Sequence, residues 1–260
     1  MVYEDRDICY TSNTLYERNR LDVYYPKNGS QHDVLVFFFG GAWQTGKKET
    51  YSHLGRNFTR KGLVTVIANY SLTPASIFTM VQECAAAVMW VYQNISNYRG
   101  NPKRIFLMGH SAGGHMIALL NSDPRYFRPY GIENPISGII LLDAFGLDMY
   151  EYLDQPWPEK DTKDNTFIQV FSSDPGNWKQ ASPMSHTKNI KNPHLILVGE
   201  KTFPSIQIHS RRFFEVLKKS QQAPVEFHEI PRRGHMAMIA YMYFRTNQQY
   251  DIILDFMQRH

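Results

Sequence analysis

The sequence of 260 residues is long enough for one domain with a substantial buried core. Hydrophobic residues make up 43% of the chain and charged residues 20%, proportions that exclude a disordered protein. The net charge of +4 is small and the basic pairs are scattered, which excludes a nucleic-acid-binding module and predicts that these pairs lie on solvated faces. The pairs are Lys47-Lys48, Arg211-Arg212 and Arg232-Arg233.

The two cysteines and the N-terminal segment indicate the compartment. Cys9 and Cys84 have neither the spacing of a metal site nor that of a redox pair, so we expect both to be reduced. The N-terminal residues are charged and precede no apolar run, and no segment approaches the roughly 18 consecutive apolar residues of a membrane span. We therefore expect a soluble, cytoplasmic protein with no membrane partner, and we leave a homodimer open.

Short β-rich runs alternate with longer helical patterns along the chain. This alternation is typical of an α/β fold, in which a mostly parallel sheet has helices on both faces. The predicted strands are Leu21–Tyr25, Val34–Phe39, Leu63–Ala68, Arg104–Met108, Gly138–Leu142, His194–Val198 and Val225–Ile230. The predicted helices include Ile77–Ile95, Ser205–Lys219 and a final helix from about Met236 to Met257.

The regular pattern is interrupted between about residues 146 and 192. This stretch is rich in proline, aspartate and aromatic residues and shows neither helical nor strand periodicity. Because long irregular segments inside a compact domain usually have a functional role, we expect it to be a cap inserted after the sixth strand. The remainder of residues 1–260 is predicted to form a single domain.

The segment Gly109-His110-Ser111-Ala112-Gly113 matches the pattern G-x-S-x-G. An apolar strand leads directly into it and a helix-forming run follows it, which is the context in which this pattern presents a reactive serine on a sharp turn. Glycines on both sides allow the strand and the helix to approach closely. Ser111 is therefore the predicted nucleophile of an acyl-transfer reaction.

A second glycine-containing segment, Phe39-Gly40-Gly41-Ala42-Trp43, directly follows a predicted buried strand. Acyl transfer builds negative charge on the carbonyl oxygen of the substrate, and two backbone N–H groups must already point at that oxygen. We expect one N–H from Ala112, the residue after the serine, and the other from the Gly40-Gly41 loop.

Together with the segment Asn69-Tyr70-Ser71-Leu72-Thr73-Pro74, these two motifs resemble the carboxylesterase branch of the α/β-hydrolases. Within that branch the chain is most similar to small esterases and to kynurenine-formamidase-like arylformamidases, which carry a His-Gly-Gly-x-Trp loop. The helix that begins near Pro204 is similar to a formamidase helix that follows strand seven. The resemblance implies an α/β-hydrolase fold with an eight-stranded, mostly parallel sheet, and hydrolysis of a small ester or formamide without a cofactor.

The general base of this fold follows the last strand, in the chain order serine, acid, histidine. His235 lies five residues beyond the predicted strand end at Ile230 and fits that position. His228 lies inside a strand and His186 precedes strand seven, so structural roles are expected for both. His110 and His115 flank the serine without a carboxylate cluster beside them, and we expect no metal site.

The chain departs from the family pattern at two positions. Phe39 stands where the family loop begins with histidine, which removes a side chain that braces the loop. Thr202 stands where the resemblance implies an aspartate, and a threonine cannot stabilise an imidazolium as a carboxylate does.

Three carboxylates are candidates for the missing acid. Asp143 closes strand six and is favoured over Glu200, which lies near the expected position, while Asp148 ranks third. The fourth alternative is a triad without an acid.

Aromatic residues in the loops are candidates for the substrate pocket. They are Trp43, Tyr70, Phe145, Trp157 and Trp178. The sequence thus favours a serine hydrolase that cleaves small carboxylic esters through an acyl-enzyme. The alternatives are an arylformamidase acting on an N-formyl aryl amine and a non-catalytic binding protein that keeps the fold.

Overall fold

A mixed eight-stranded sheet forms the centre of the computed structural model, which describes residues 1–11, 17–160, 166–220 and 223–260. Its strands are β1 (Val2–Cys9), β2 (Arg20–Pro26), β3 (His32–Phe38), β4 (Val64–Ala68), β5 (Gly100–His110), β6 (Ile136–Leu142), β7 (His194–Gly199) and β8 (Val225–Ile230). The spatial order is β1-β2-β4-β3-β5-β6-β7-β8. The pairs β1–β2 and β2–β4 are antiparallel and all the others are parallel, which confirms the expected mostly parallel sheet.

The central strands are continuous apolar runs because helices cover both of their faces. In β3 every residue from Val34 to Phe38 is buried, and β4 is buried along its whole length. Parallel pairing brings the C-terminal ends of the strands together at one edge of the sheet. There Phe38 pairs with Gly109 and His110 pairs with Leu142, so the loops that follow β3, β5 and β6 are neighbours.

Nine α-helices are assigned within the described ranges. They are α1 (Ser52–Arg60), α2 (Ile77–Asn94), α3 (Ala112–Ser122), α4 (Met149–Asp154), α5 (Thr166–Phe171), α6 (Pro175–Gln180), α7 (Pro204–Ser220), α8 (His235–Ala240) and α9 (Gln248–Arg259). Ser76 caps α2 by accepting the Thr79 N–H, and all eleven residues of α3 are buried. In the parts of the chain that are described, no helix combines the length and the apolar character of a membrane span.

The segment between β6 and β7, where the sequence shows no periodicity, contains the short helices α4, α5 and α6 and a 3₁₀ helix over Pro183–Asn189. Each of the three α-helices has only six residues, too few for an amphipathic pattern to repeat. The Asp148 carboxylate caps α4 by accepting the Glu151 N–H, and Asp174 caps α6 in the same way with Gly176.

Two elements differ from the prediction. β1 was not predicted because five of its eight residues are exposed and four of these are charged, as suits an edge strand. The predicted final helix is two helices, because Phe244 has an extended backbone and the Asn247 side chain caps α9 by accepting the Gln249 N–H.

The prediction that Lys48 lies on a solvated face is wrong. Its side chain is only 1% exposed, and its ammonium lies 2.6 Å from Asp7, 2.7 Å from Asp22 and 2.8 Å from Glu49. Burial alone would lower the pKa of Lys48, but the three carboxylates outweigh that effect and raise it. This ion cluster, in which Lys48 and Asp22 are buried, ties β1 and β2 to the segment that follows β3.

Candidate active site

Ser111 occupies a sharp turn between β5 and α3. Its backbone has φ +54° and ψ −122°, a strained conformation for a residue with a side chain. The turn is held by the Ser111 N–H, which donates to Leu142 O at 3.2 Å, and by the Ser111 carbonyl, which accepts the N–H of Phe145 at 3.2 Å. A Cβ at Gly113 would lie 2.1 Å from the carbonyl oxygen of Phe38, so only glycine allows α3 to pass this close to β3.

A continuous hydrogen-bonded chain links Ser111 to His235 and Asp143. His235 Nε2 lies 2.8 Å from Ser111 Oγ, and His235 Nδ1 lies 2.6 Å from Asp143 Oδ2. An ionised carboxylate can only accept, so Nδ1 carries the proton and Nε2 offers a lone pair to the serine hydroxyl. This arrangement can take the proton from Ser111 and stabilise the imidazolium that forms on His235.

Asp143, and neither Glu200 nor Asp148, is the carboxylate that the structure places against His235. It directly follows β6, has φ +50° and is fully buried. Its Oδ1 accepts the Gly199 N–H at 2.8 Å, and its Oδ2 also accepts the hydroxyl of Thr202. Thr202, which replaces the expected aspartate, therefore donates a hydrogen bond to the carboxylate on the neighbouring strand end.

The other two candidate acids have structural partners. Glu200 Oε2 accepts the backbone N–H of Arg232 at 2.5 Å and so holds the turn after β8. Asp148 caps α4, where its carboxylate accepts the Glu151 N–H. Neither carboxylate is placed to orient the imidazole.

The loop after β3 passes directly beside the serine. A Cβ at Gly40 would lie 2.7 Å from the Cβ of Ser111, so a larger residue there would collide with it. The next three residues all have positive φ: +126° at Gly41, +48° at Ala42 and +60° at Trp43. Such strained backbone persists only where the surroundings hold it in place.

Two backbone segments adjoin Ser111, the start of α3 and the loop after β3. Ala112 is the first residue of α3, and the N–H groups of the first helical turn have no partner within the helix. Gly40 and Gly41 belong to the loop that passes beside the Ser111 Cβ. All three residues line the same cavity as Ser111.

The loop is braced although Phe39 replaces the family histidine. The Phe39 ring stacks between Tyr70, at 4.7 Å between ring centroids, and Tyr51, at 5.7 Å. The Tyr70 hydroxyl donates to the Phe39 carbonyl at 2.8 Å, and Arg18 donates to the carbonyls of Tyr70 and Gly46. The stacked aromatic rings and Arg18 thus stabilise the loop after β3.

The cavity above Ser111 has a volume of about 540 Å³. Trp43 and Phe145 line it, as expected from the sequence. Tyr70 does not line it, because its ring lies fully buried beneath the loop in the stack with Phe39. Trp157 and Trp178 also lie outside the lining: Trp157 packs against His209, and the Trp178 indole donates to the Ser172 carbonyl.

Several residues that line the cavity were not predicted. They are Tyr51, Tyr152, Glu159, Phe167, Phe203 and Met236. Most of them come from the segment after β6 or from loops, where no periodicity marks the side that faces the cavity. The sequence does contain a signal for two of these lining residues. Phe203 directly follows Thr202, and Met236 directly follows His235.

Two buried histidines lie beside the serine without taking part in the chain. The His110 ring stacks on His235 at 4.8 Å, and burial, with a smaller contribution from His235, lowers the pKa of His110 to about 3. Burial lowers the pKa of His115 to about 4, and its Nε2 donates to the Ala181 carbonyl at 2.8 Å. Both rings are therefore neutral at neutral pH, and His110 adds no positive charge beside His235.

Metal-ligating side chains do not cluster in the part of the chain that the structure describes. No group of three or more histidine, cysteine, aspartate or glutamate side chains there could hold a metal ion. His228 instead faces Glu226 at 3.5 Å, and His186 donates to the Gln180 carbonyl at 2.9 Å. Cys9 and Cys84 are free.

The sequence of this chain is similar to those of two known proteins. The probable isoprenylcysteine alpha-carbonyl methylesterase ICMEL2 of Arabidopsis thaliana is 39% identical over 220 residues, which are 79% of this chain and 52% of that protein. Kynurenine formamidase of Danio rerio is 26% identical over 225 residues, which are 86% of this chain and 72% of that protein. The chain thus spans about half the length of the plant relative.

Comparison with a solved structure identifies the fold, and comparison with a family model identifies the family. The structure of a truncated carbohydrate esterase from gut microbiota superposes with a TM-score of 0.82 at 18% identity, over 99% of this chain and 95% of that one. At this identity the superposition shows the fold alone, and the chain has the α/β-hydrolase fold. The BD-FAE family model matches residues 21–210, most of the chain. The chain therefore belongs to the BD-FAE family.

Proposed function

We propose that this chain is a serine hydrolase that cleaves small carboxylic esters through an acyl-enzyme. The observation that carries the proposal is the chain from Ser111 through His235 to Asp143, with contacts of 2.8 and 2.6 Å. The names of the methylesterase and carbohydrate esterase that resemble the chain support the same reaction class.

In the first half of the reaction, Ser111 Oγ attacks the ester carbonyl while His235 Nε2 takes its proton. The negative charge that develops on the carbonyl oxygen is held by the backbone N–H groups of Ala112 and of the Gly40-Gly41 loop. When the tetrahedral intermediate collapses, the bond to the alcohol breaks. His235 returns the proton to the leaving alkoxide, and the acyl group stays on Ser111.

In the second half, a water molecule takes the place of the alcohol. His235 removes a proton from this water as it attacks the acyl carbonyl, and the same N–H groups hold the oxyanion. Collapse of this second tetrahedral intermediate breaks the bond between the acyl carbon and Ser111 Oγ, and His235 returns the proton to Ser111 Oγ. Asp143 holds the ring of His235 in one orientation and keeps a proton on Nδ1 throughout, and the neutral His110 ring does not repel the imidazolium.

The arylformamidase alternative uses the same groups on an N-formyl aryl amine. It is favoured by one specific observation, the similarity to kynurenine formamidase over 86% of the chain. The non-catalytic alternative depended on the absence of an acid, and the position of Asp143 argues against it.

Hydrolysis of p-nitrophenyl acetate and butyrate and of N-formylkynurenine tests the proposal. We expect turnover of the esters and a loss on the order of 10⁴-fold or more in Ser111→Ala. Ser220→Ala, which removes an exposed serine at the end of α7, serves as the matched control and should keep full activity. Turnover of the formamide without the esters would favour the alternative, and turnover of neither by folded protein would contradict both.

A further inference from the structure

The cavity is lined largely by apolar and aromatic residues, and one of its polar residues, Glu159, carries a carboxylate that the proposed chemistry does not use. Among the lining residues that the structure describes, Glu159 carries the only acidic side chain, and none is a lysine or an arginine. A carboxylate among aromatic rings is expensive to desolvate unless it meets a donor or a cation.

Among the described residues, only one of the two carboxylate oxygens of Glu159 has a hydrogen-bond partner. Its Oε1 accepts the backbone N–H of Ser205, in the first turn of α7, at 3.1 Å. Its Oε2 is shielded from bulk solvent and has no hydrogen-bond partner within the described ranges. The first contact fixes the orientation of the carboxylate, and no donor from the described residues reaches the second oxygen.

The nearest cation in the sequence does not neutralise Glu159. The ammonium of Lys160 instead donates to the main-chain carbonyls of residues 152, 153 and 155, at 2.7 to 3.1 Å, at the end of α4. Among the described residues, no ion pair involves Glu159. Within the described part of the chain, no cation therefore balances the negative charge of this carboxylate.

One short segment connects Glu159 to the groups around Ser111. The Thr202 hydroxyl donates to Asp143, and the ring of Phe203 packs against His235 at 5.0 Å. The N–H of Ser205 then donates to Glu159. The carboxylate thus lies beside the same cavity into which the Ser111 hydroxyl projects, on the side where the segment 202–205 forms the wall.

We propose that Glu159 is a specificity-determining residue that selects esters with a protonated amine on the part of the molecule remote from the reacting carbonyl. The ammonium satisfies Glu159 Oε2 with a charge-assisted hydrogen bond. Aromatic rings that line the same cavity, among them Tyr152 and Phe167, favour a cation further through their π faces. This inference rests on the proposed esterase function and names its substrate class.

The test compares p-nitrophenyl 6-aminohexanoate with p-nitrophenyl heptanoate, in which a methyl group replaces the ammonium. We expect wild-type protein to prefer the ammonium ester in kcat/KM, and Glu159→Gln to reduce this preference by roughly 10- to 100-fold. Glu215→Gln removes an exposed carboxylate of α7 and should leave the preference unchanged. An equal preference in wild type and Glu159→Gln, with both esters hydrolysed, overturns the inference and leaves the esterase function standing.

A binding measurement separates the two proposals if neither ester is hydrolysed. Methyl 6-aminohexanoate and methyl heptanoate are titrated calorimetrically into Ser111→Ala, which is not expected to turn them over, and into Ser111→Ala combined with Glu159→Gln. We expect tighter binding of the ammonium ester only when Glu159 is present. Equal binding of the two ligands to both proteins overturns the inference, independently of turnover.

Discussion

Replacing Asp143 by asparagine tests which carboxylate serves His235. Asp143 is fully buried and accepts hydrogen bonds from His235, Thr202 and the backbone of Gly199. Asparagine has nearly the same shape but no charge, and its amide group would drive the proton of His235 to the nitrogen that faces Ser111. We expect kcat/KM to fall by about 10⁴-fold, equivalent to about 5 kcal/mol of barrier.

Steady-state hydrolysis of p-nitrophenyl acetate measures the loss, and thermal unfolding verifies that the variant is folded. Glu200→Gln is the matched control, because its side-chain oxygen can still accept the Arg232 N–H. We expect kcat/KM of the control to stay within about threefold of wild type. A larger loss in Glu200→Gln than in Asp143→Asn would refute the assignment of the acid.

Three further predictions concern the surroundings of the site. Thr202→Val removes a hydrogen bond to the Asp143 carboxylate, and we expect kcat/KM to fall on the order of 10-fold; a change below twofold would contradict this. Tyr70→Phe leaves the Phe39 carbonyl without its donor and should lower the free energy of unfolding by about 1–3 kcal/mol in urea titrations, whereas unchanged stability would show that the brace is dispensable. Between about pH 4 and 6.5, buried histidines with a pKa near 3 or 4 bind a proton in the unfolded chain but not in the folded one. The free energy of unfolding is therefore highest above pH 6.5, and each such histidine lowers it by about 2 kcal/mol at pH 5. Urea titrations at pH 7.5 and 5 measure this loss, and equal stability would contradict it; the groups are His110, His115 and His194.

Much of the fold could be predicted because its signals are local. Continuous apolar runs mark β3 to β7, and the glycines around Ser111 mark the close approach of strand and helix. His235 could be predicted as the general base because it lies only five residues beyond the end of the last strand at Ile230. These features depend on residues adjacent in the sequence, where periodicity and turn chemistry are visible.

Other features depend on contacts between distant segments. The choice among Asp143, Glu200 and no acid needed the geometry of two neighbouring strand ends, since Thr202 is informative only once its hydroxyl is seen to bind Asp143. Lys48 appeared to be a surface residue because its carboxylate partners include Asp7 and Asp22, far away in the sequence. Tyr70 was predicted to line the pocket, but it binds Phe39 instead.

The proposal that Ser111 is the nucleophile can be tested directly with a fluorophosphonate probe, followed by intact mass and peptide mapping. The account predicts one adduct per chain, located on Ser111, and no adduct in Ser111→Ala or in protein unfolded beforehand. Folded protein that remains unlabelled, or an adduct on another residue, would contradict it.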